Sequence, residues 1–431
     1  MKVSFVLLCI TMGIAILILL GIFGVCTANV PKEAQNAEIV ISNNATTNKS
    51  PAIVYNPDRD EYLVVWRSRQ ADGYDIRGQR LDSSGVLVGT DFTITTPIST
   101  SWPCVPAVAY NTTRKEFLVV WSNEISGNLH AQRVLSNGVR ANSSFTISTS
   151  LSDDPHGATL AYAPDSDVFL LAWRGCIHNQ QTIASPNGGN PCYFYTQVLD
   201  GEGTRVGENI TATTSTYMQG YPTLAYVPNL GEFWIVWTEQ YTITAQRILT
   251  TGLLFNEPVA LAQETTDMYN PSISDISDRG EFLVTWEKAR DVLHQPLIPA
   301  GGGYRDIYAR RVLSNGMPAG NSFRVSSTSV TAMEPKVTYP SGQGQYLVVW
   351  GNYDYQGHHR NIYARWISET GKLVGYDFPI AVAPEDQFYV AMDGENMVLV
   401  VWQDNRGGPD IRGRILERAW WLYLPLVMRA G

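Results

Sequence analysis

Seven short apolar runs, each ending in tryptophan, divide the chain into similar units. The first run is EYLVVW at 61–66, and six later runs repeat its pattern. Consecutive tryptophans are 55, 52, 64, 49, 64 and 52 residues apart. A period of about 50 residues is typical of repeat architectures and gives room for four strands and their turns. The tryptophans are Trp66, Trp121, Trp173, Trp237, Trp286, Trp350 and Trp402.

Each unit carries the pattern of a four-stranded antiparallel meander. In the first unit an extended segment at 51–55 precedes the tryptophan strand, and further strand patterns follow at 75–81 and 92–94. The tryptophan strand is apolar at consecutive positions, so both of its faces must be covered. Blades of a β-propeller cover each other in this way. The pattern therefore predicts an all-β fold, a seven-bladed β-propeller of four-stranded antiparallel blades.

Two adjacent positions of the third strand keep their residue type in every unit. One is always small, which predicts the close approach of a bulky side chain, and we expect this to be the tryptophan of an adjacent blade. The next is always Gln or Arg, for which we expect a structural hydrogen bond. The pairs are Gly78-Gln79, Ala131-Gln132, Thr196-Gln197, Ala245-Gln246, Ala309-Arg310, Ala364-Arg365 and Gly413-Arg414.

The two ends of the repeat region complement each other. The seventh unit lacks a fourth strand after its third strand at 410–416, whereas residues 38–42 read as an isolated fourth strand. We therefore expect the N-terminal strand to complete the last blade and close a propeller over residues 37–418. Residues 29–36 read as a linker, and 419–431 form an apolar C-terminal tail.

Residues 1–28 have the character of an export signal. Lys2 is followed by an apolar run to residue 25, and small residues end the run, so cleavage after Ala28 is expected. The run is also long enough for an uncleaved membrane anchor, and lipid attachment at Cys26 is a third alternative. Each alternative predicts an extracellular or cell-envelope location, with membrane contact only through this segment if it stays uncleaved.

Cysteine spacing agrees with an oxidising compartment. Cys176 and Cys192 flank one polar loop, and we expect a disulfide between them. The state of Cys104 stays open. The chain has no Cys-x-x-Cys pair, so zinc has no ligand pattern to use.

Composition narrows the function classes. Charged residues make up 16% of the chain, and the net charge of −9 leaves no basic stripe for nucleic acid. The pattern predicts no metal or other cofactor, and we expect a monomer.

The repeat resembles a class of exported bacterial proteins whose units read VVW, then D-R-G, then DIYAQR. The last unit, at 401–411, is the most similar to this pattern, and the resemblance covers about residues 37–416. The resemblance implies the propeller architecture. It implies no particular activity, because the class has no single shared function.

The connections between second and third strands vary most in length, and they emerge on one face of a propeller. Long insertions on one face of a repeat array are where ligands usually bind. Asp404 and Arg406 either line a polar rim there or tie the hairpin and neighbouring blades together by ion pairs. Adjacent histidines in one loop seldom share a metal ion, so a metal site is not expected. The candidate ligand-binding residues are Tyr304, Tyr353, Asp354, Tyr355, His358, His359, Asp404 and Arg406.

These features favour a secreted or cell-surface binding module that recognises a glycan or a protein through the loop-rich face. The near-uniform repeats show no single catalytic constellation, and we assign no catalytic residue. The alternative is a glycan-active hydrolase or lyase with carboxylates around the central channel. A third alternative is a structural protein of the cell envelope.

Overall fold

The computed structural model describes residues 37–42, 47–71, 73–95, 105–123, 127–147, 154–176, 192–213, 218–239, 241–290, 304–327, 330–354 and 359–416. In these ranges the chain forms 28 strands and one 3-10 helix, Ser341–Gln343. The strands make seven antiparallel sheets of four strands each. This confirms the predicted seven-bladed β-propeller.

Successive blades follow the chain, and only the last borrows a strand from the other end. Blade 1 comprises β2 (Asn48–Asn56), β3 (Glu61–Gln70), β4 (Gly73–Asp82) and β5 (Leu87–Thr95). Blade 2 comprises β6 (Ala107–Asn111), β7 (Glu116–Asn123), β8 (Asn128–Leu135) and β9 (Phe145–Thr146). Blade 3 comprises β10 (Asp154–Ala163), β11 (Val168–Cys176), β12 (Cys192–Asp200) and β13 (Arg205–Thr211). Blade 4 comprises β14 (Met218–Val227), β15 (Glu232–Glu239), β16 (Thr242–Leu249) and β17 (Leu254–Gln263).

The remaining blades keep the same order. Blade 5 comprises β18 (Met268–Ile273), β19 (Glu281–Ala289), β20 (Arg305–Leu313) and β21 (Pro318–Arg324). Blade 6 comprises β22 (Thr331–Thr338), β23 (Gln345–Asp354), β24 (His359–Ser368) and β25 (Leu373–Ala381). Blade 7 comprises β26 (Gln387–Asp393), β27 (Val398–Asp404), β28 (Asp410–Leu416) and the N-terminal β1 (Ile39–Val40).

The tryptophan strand divides its side chains between two cores, because alternate residues of a strand point to opposite faces. Leu63 and Val65 lie in the core shared with blade 2, whereas Trp66 lies in the core shared with blade 7. Trp121 in turn packs in the core shared with blade 1. Each blade tryptophan packs against the preceding blade in this manner, and all seven are at most 2% exposed. The cores between blades therefore hold the ring together.

The small third-strand residue has two bulky neighbours. Ala131 shares a core with Trp173 of the next blade, as expected. At Gly78, however, the atoms nearest to a Cβ would be those of Phe92 and Ile94, from the fourth strand of the same blade. The expectation that named only the adjacent tryptophan is therefore incomplete, since the fourth strand supplies the closest contact.

The Gln or Arg position of the third strand makes the expected hydrogen bonds in six blades. Gln79 Nε2 donates to the carbonyl oxygens of Arg80 at 2.8 Å and Val88 at 3.3 Å, which bridges a bulge between β4 and β5. Arg365 Nη1 reaches the carbonyl oxygen of Val325 in the preceding blade at 3.0 Å. The Nε atoms of Arg365 and Arg414 are both buried without a hydrogen-bond partner among the described residues.

The N-terminal strand closes the ring, as predicted. Ile39 pairs with Gly413 and Val40 with Arg412, so β1 is the outer strand of blade 7. The innermost strands of neighbouring blades contact each other all round, including β2 of blade 1 with β26 of blade 7. These innermost strands line the central channel.

An antiparallel meander places its connections at two opposite ends. The connection between second and third strands and the link that enters each first strand lie at one end, which we call the loop face. The turns between first and second strands and between third and fourth strands lie at the other end, the turn face. On the turn face the Tyr110 hydroxyl donates to Asp58 of blade 1 at 2.7 Å, which joins two blades.

Candidate functional site

Most of the residues predicted in the blade 6 loop lie at its base. Tyr353 and Asp354 end β23 and pair with Arg360 and His359 of β24. The Arg360 guanidinium lies 5.5 Å from the centre of the Tyr353 ring. Tyr355 and His358 lie outside the described residues. In blade 5, Tyr304 comes just before β20, and the Arg290 guanidinium lies 5.4 Å from its ring centre.

Asp404 and Arg406 belong to the closure of the ring. Asp404 is fully buried and accepts hydrogen bonds from Arg406 Nε at 2.8 Å and Trp402 Nε1 at 3.1 Å. Arg406 also bonds Glu38, next to the closing strand. Burial alone raises the pKa of Asp404, but the hydrogen bonds from Arg406 hold this pKa below its ordinary value. These ion pairs lie within blade 7, where they join the hairpin between β27 and β28 to the N-terminal segment at Glu38, and this geometry fits a structural tie better than a ligand-facing rim.

The predicted disulfide is present. Cys176 and Cys192 are directly paired across β11 and β12 at the loop face of blade 3, and their sulfurs are bonded. The loop at 177–191 and Cys9, Cys26 and Cys104 lie outside the described residues. A disulfide in this position joins the two strands at the base of that loop.

Sequence reasoning missed the most unusual feature, a bulge in the innermost strands near the loop face. The pairing between first and second strands shifts there in six blades. One residue of each bulge takes a left-handed backbone conformation. These residues, with their φ angles, are Ser50 (53°), Gly157 (59°), Gly220 (87°), Asn270 (47°), Glu334 (55°) and Tyr389 (51°).

Two tyrosines at these bulges are exposed at the mouth of the channel on the loop face. Tyr221 is 48% exposed and Tyr389 is 42% exposed. The Arg174 guanidinium lies 5.5 Å from the Tyr221 ring centre. The Nε of Arg174 is buried without a hydrogen-bond partner among the described residues. Tyr241, in the second-to-third-strand connection of blade 4, is another exposed ring on the loop face, at 41%.

Glu287 links blades 5 and 6 at the mouth. It is fully buried, and its Oε1 accepts hydrogen bonds from Asn270 Nδ2 at 2.6 Å and from the backbone amide of Glu334 at 2.8 Å. Arg305 Nη1 lies 2.6 Å from Glu287 Oε2. A buried carboxylate satisfied by a cation and by amides fixes its neighbours in place.

Glu334 has its own partners at the mouth. Its carboxylate accepts a hydrogen bond from the backbone amide of Tyr389 and lies 3.5 Å from Arg360 Nη1. Burial raises the pKa of Glu334. Arg360 also lies 4.8 Å from the centre of the Phe388 ring. Blades 6 and 7 are thus joined at the mouth by charged and aromatic side chains.

Two carboxyl groups face the channel at the turn face. Asp393 ends β26 and accepts backbone hydrogen bonds from Tyr55 at 2.7 Å and Gly394 at 2.8 Å. Asp275, just after β18, accepts a long hydrogen bond of 3.4 Å from Thr338. Burial, together with the charge of Asp275, raises the pKa of Asp393 to about 7. A carboxyl group with such a pKa exchanges its proton near neutral pH.

A polar cavity of about 340 Å³ lies on the loop face beside the link from blade 4 to blade 5. Its cations already have acidic partners, with Arg290 Nη2 at 2.6 Å from Asp306 and Lys288 Nζ at 2.7 Å from Glu264. The hydroxyl of Thr266 is buried without a hydrogen-bond partner in the described chain. The lining residues are Thr265, Thr266, Lys288, Ala289, Arg290, Asp306 and Tyr308.

Two further findings concern only the described ranges. They contain no group of three His, Cys, Asp or Glu side chains placed to hold a metal ion. Nor do these ranges contain a helix long and apolar enough to cross a membrane.

Comparison with known proteins identifies the class of fold. No family model and no curated protein matches the chain. A protein of unknown function from Dyadobacter fermentans is similar in structure at 9% identity, with a TM-score of 0.51 over 89% of this chain and 98% of that one. A puromycin-hydrolysing peptidase of Mycobacterium tuberculosis is 12% identical, with a TM-score of 0.53 over 87% of this chain and 52% of that one.

An oligogalacturonate lyase, solved in complex with manganese, is also similar. It is 10% identical, with a TM-score of 0.51 over 90% of this chain and 100% of the lyase. At such identities the likeness establishes the fold alone. The chain is therefore a seven-bladed β-propeller protein, and its function has to be argued from its own residues.

Proposed function

We propose that this chain is a binding protein that recognises a saccharide on the loop face, at the mouth of the central channel. One observation carries the proposal: Tyr221 and Tyr389 present exposed rings from two innermost strands at this mouth. Aromatic rings combine a large apolar face with a polar tip. The apolar C–H face of a sugar ring packs on such a surface, while its hydroxyl groups bond polar neighbours.

Backbone strain supports a role for Tyr389. Its φ of 51° lies in the left-handed region, which costs a bulky L-residue about 1–2 kcal/mol. Strained conformations of this kind cluster at functional sites, where the surrounding structure maintains them. The same conformation recurs at the bulges of five other blades, and in blade 7 it presents an exposed aromatic ring at the mouth, which supports a ligand-binding role for Tyr389.

The polar groups at the mouth are held ready for a ligand. Glu287 fixes Asn270 and Arg305, and Glu334 fixes Arg360, so these side chains lose little further freedom on binding. Ordered donors and acceptors beside exposed aromatic rings are the combination that a hydroxyl-rich ligand needs.

We also propose that the protein acts outside the cytoplasm. The Cys176–Cys192 disulfide indicates an oxidising environment. The export signal expected at residues 1–28 supports the same location. Secretion is tested by expressing the full chain in an exporting host and locating it by fractionation.

The binding proposal is tested on a glycan array with the full chain. Wild type should bind a defined set of saccharides, and the double variant Y221A/Y389A should lose at least about tenfold in affinity. Tyr376 is 74% exposed on β25, far from the channel in the order of strands, so Y376A is the matched control and should bind as wild type. Equal binding by all three proteins would contradict the proposal, and capture of proteins without any saccharide would replace it with a protein ligand.

A glycan-active hydrolase or lyase is the second candidate function. It is supported by Asp393, whose pKa of about 7 suits a general acid, with Asp275 as the nearby second carboxyl group. If this candidate holds, wild type degrades a polysaccharide and D393N loses at least about a hundredfold in rate. Binding without turnover would leave the binding protein as the function.

A further inference from the structure

Lys336 is a long side chain at a position of the innermost strands that is otherwise occupied by small residues. It pairs across β22 and β23 with the residue just before the blade tryptophan. Every other blade has a small residue at this position of its first strand. These residues are Ala52, Ala107, Thr159, Thr223, Ser272 and Ala391.

The side chain of Lys336 opens into the channel. The faces of each blade are covered by its neighbours, yet Lys336 is exposed in the middle of an innermost strand. At the equivalent position of blade 5, Ser272 Oγ accepts a hydrogen bond of 3.2 Å from Val337 N in β22. The side chain at this position of blade 5 therefore faces the innermost strand of the next blade. The channel walls limit the water around the ammonium group, which lowers the pKa of Lys336.

Within the part of the chain that the structure describes, Lys336 has no acidic partner in contact. Among the described residues no carboxylate lies within 4.0 Å of its ammonium group, and Glu334 acts on it only from a longer distance. A cation enclosed in this way is stabilised by an anion that enters the channel. Three hydroxyl groups stand at the same level of the ring, on Thr159, Thr223 and Ser272, and they supply further donors.

The loop-face end of the ring carries several basic side chains, although the protein carries a net charge of −9. Burial lowers the pKa of Lys49, and repulsion by Arg67 and Arg69 lowers it further. Lys49 and Arg67 are paired across β2 and β3 at the loop-face end of blade 1. The two buried or half-buried acids at the mouth, Glu287 and Glu334, are neutralised by arginines.

We infer that the channel selects an acidic saccharide, whose carboxylate enters from the loop face and binds the ammonium group of Lys336. Lys336 lies two residues beyond Glu334 along β22, or about 7 Å deeper than the mouth, which is within reach of one sugar unit. The opposite, turn-face end of the channel carries the carboxyl groups of Asp275 and Asp393, which repel an anion in their ionised form. This inference rests on the proposed saccharide site and names its ligand class.

The test compares the binding of each acidic saccharide with that of its neutral, carboxyl-reduced counterpart. A panel of uronic-acid tetrasaccharides is titrated against the full chain, together with the same sugars after reduction of their carboxyl groups. Wild type should prefer the acidic form by about tenfold or more. Lys336→Thr should abolish the preference and still fold, because blades 3 and 4 carry Thr at this position. Lys372→Thr, at an exposed turn, is the control and should keep the preference.

The outcomes separate this inference from the proposed function. If wild type bound the acidic and the carboxyl-reduced saccharide with equal affinity, the inference would be overturned and the saccharide site would stay in place. The same holds if Lys336→Thr kept the preference for the acidic saccharide unchanged. If wild type bound neither saccharide of a pair and no saccharide on the glycan array, both the inference and the proposed function would be overturned. Preference for an acidic peptide over every acidic sugar would replace the ligand class.

Discussion

The ring of Tyr221 occupies the space that a side chain on Gly157 would need, so the innermost strands of blades 3 and 4 interlock at the channel mouth. Gly157 also has a φ of +59°. Gly157→Ala should therefore displace the ring and add backbone strain, lowering the free energy of unfolding by about 1–3 kcal/mol. Saccharide binding should fall with it. Chemical denaturation and titration measure the two effects.

A matched control separates strain from displacement. Gly231 has a similar φ of +64°, but no atom lies within 4 Å of its Cβ position. Gly231→Ala should lose about 1 kcal/mol of stability and keep full binding affinity. If both variants bind equally well, the position of Tyr221 does not matter for binding.

Tyr389 should show a conflict between stability and binding. Replacement by glycine removes the left-handed strain, whereas replacement by alanine keeps it. Both variants should lose saccharide binding, and Tyr389→Gly should be more stable than Tyr389→Ala by about 1 kcal/mol. Thermal and denaturant unfolding of the two variants check this. Equal stability would show that the conformation is not strained.

Asp393 should make stability depend on pH. The pKa of Asp393 in the folded protein, about 7, is above the ordinary value. The contribution of Asp393 to the free energy of unfolding is therefore complete below about pH 4 and is lost as the pH rises through 7. Asp393→Asn removes this titration. The difference in the free energy of unfolding, variant minus wild type, should increase by about 1–3 kcal/mol between pH 5 and pH 8.5. Urea unfolding at several pH values gives the difference, and a flat difference would contradict the raised pKa.

Glu38 should give the stability of the protein the opposite dependence on pH. Burial alone raises the pKa of Glu38, but hydrogen bonds from Arg406 and Arg412 hold it below the ordinary value. Glu38→Gln should therefore lower the free energy of unfolding by about 1 kcal/mol at pH 7, and the difference should vanish as the pH falls below about 4. Glu208→Gln, with a side chain 96% exposed, is the control and should change nothing measurable. A Glu38→Gln variant as stable as wild type would show that these ion pairs do not secure the closure.

Much of the fold could be predicted because the same local pattern recurs. Runs apolar on both faces indicate sheets covered on both sides, and Trp66 and Val65 do point into different cores. The closing strand was predictable because the last unit lacked a strand that residues 38–42 supplied. Cys176 and Cys192 were predictable as a disulfide because they flank one loop.

The site was harder to predict because ring closure creates it. Tyr221 and Tyr389 are far apart in sequence, and bulges shift the register of their strands. Sequence reasoning therefore favoured the long loops, including residues now outside the described ranges. One signal was available: Lys336 stands fourteen residues before Trp350, and at the same spacing five other units have only Ala, Ser or Thr.

In the proposed function, a saccharide binds across the channel mouth on the loop face. Hydrogen–deuterium exchange of the full chain, with and without the strongest array ligand, tests it most directly. We expect slower exchange in β14 and β26 near Tyr221 and Tyr389 when the ligand is bound, with no change in the outer strands such as β25. Slower exchange confined to outer strands or to the turn face, with β14 and β26 unchanged, would contradict it.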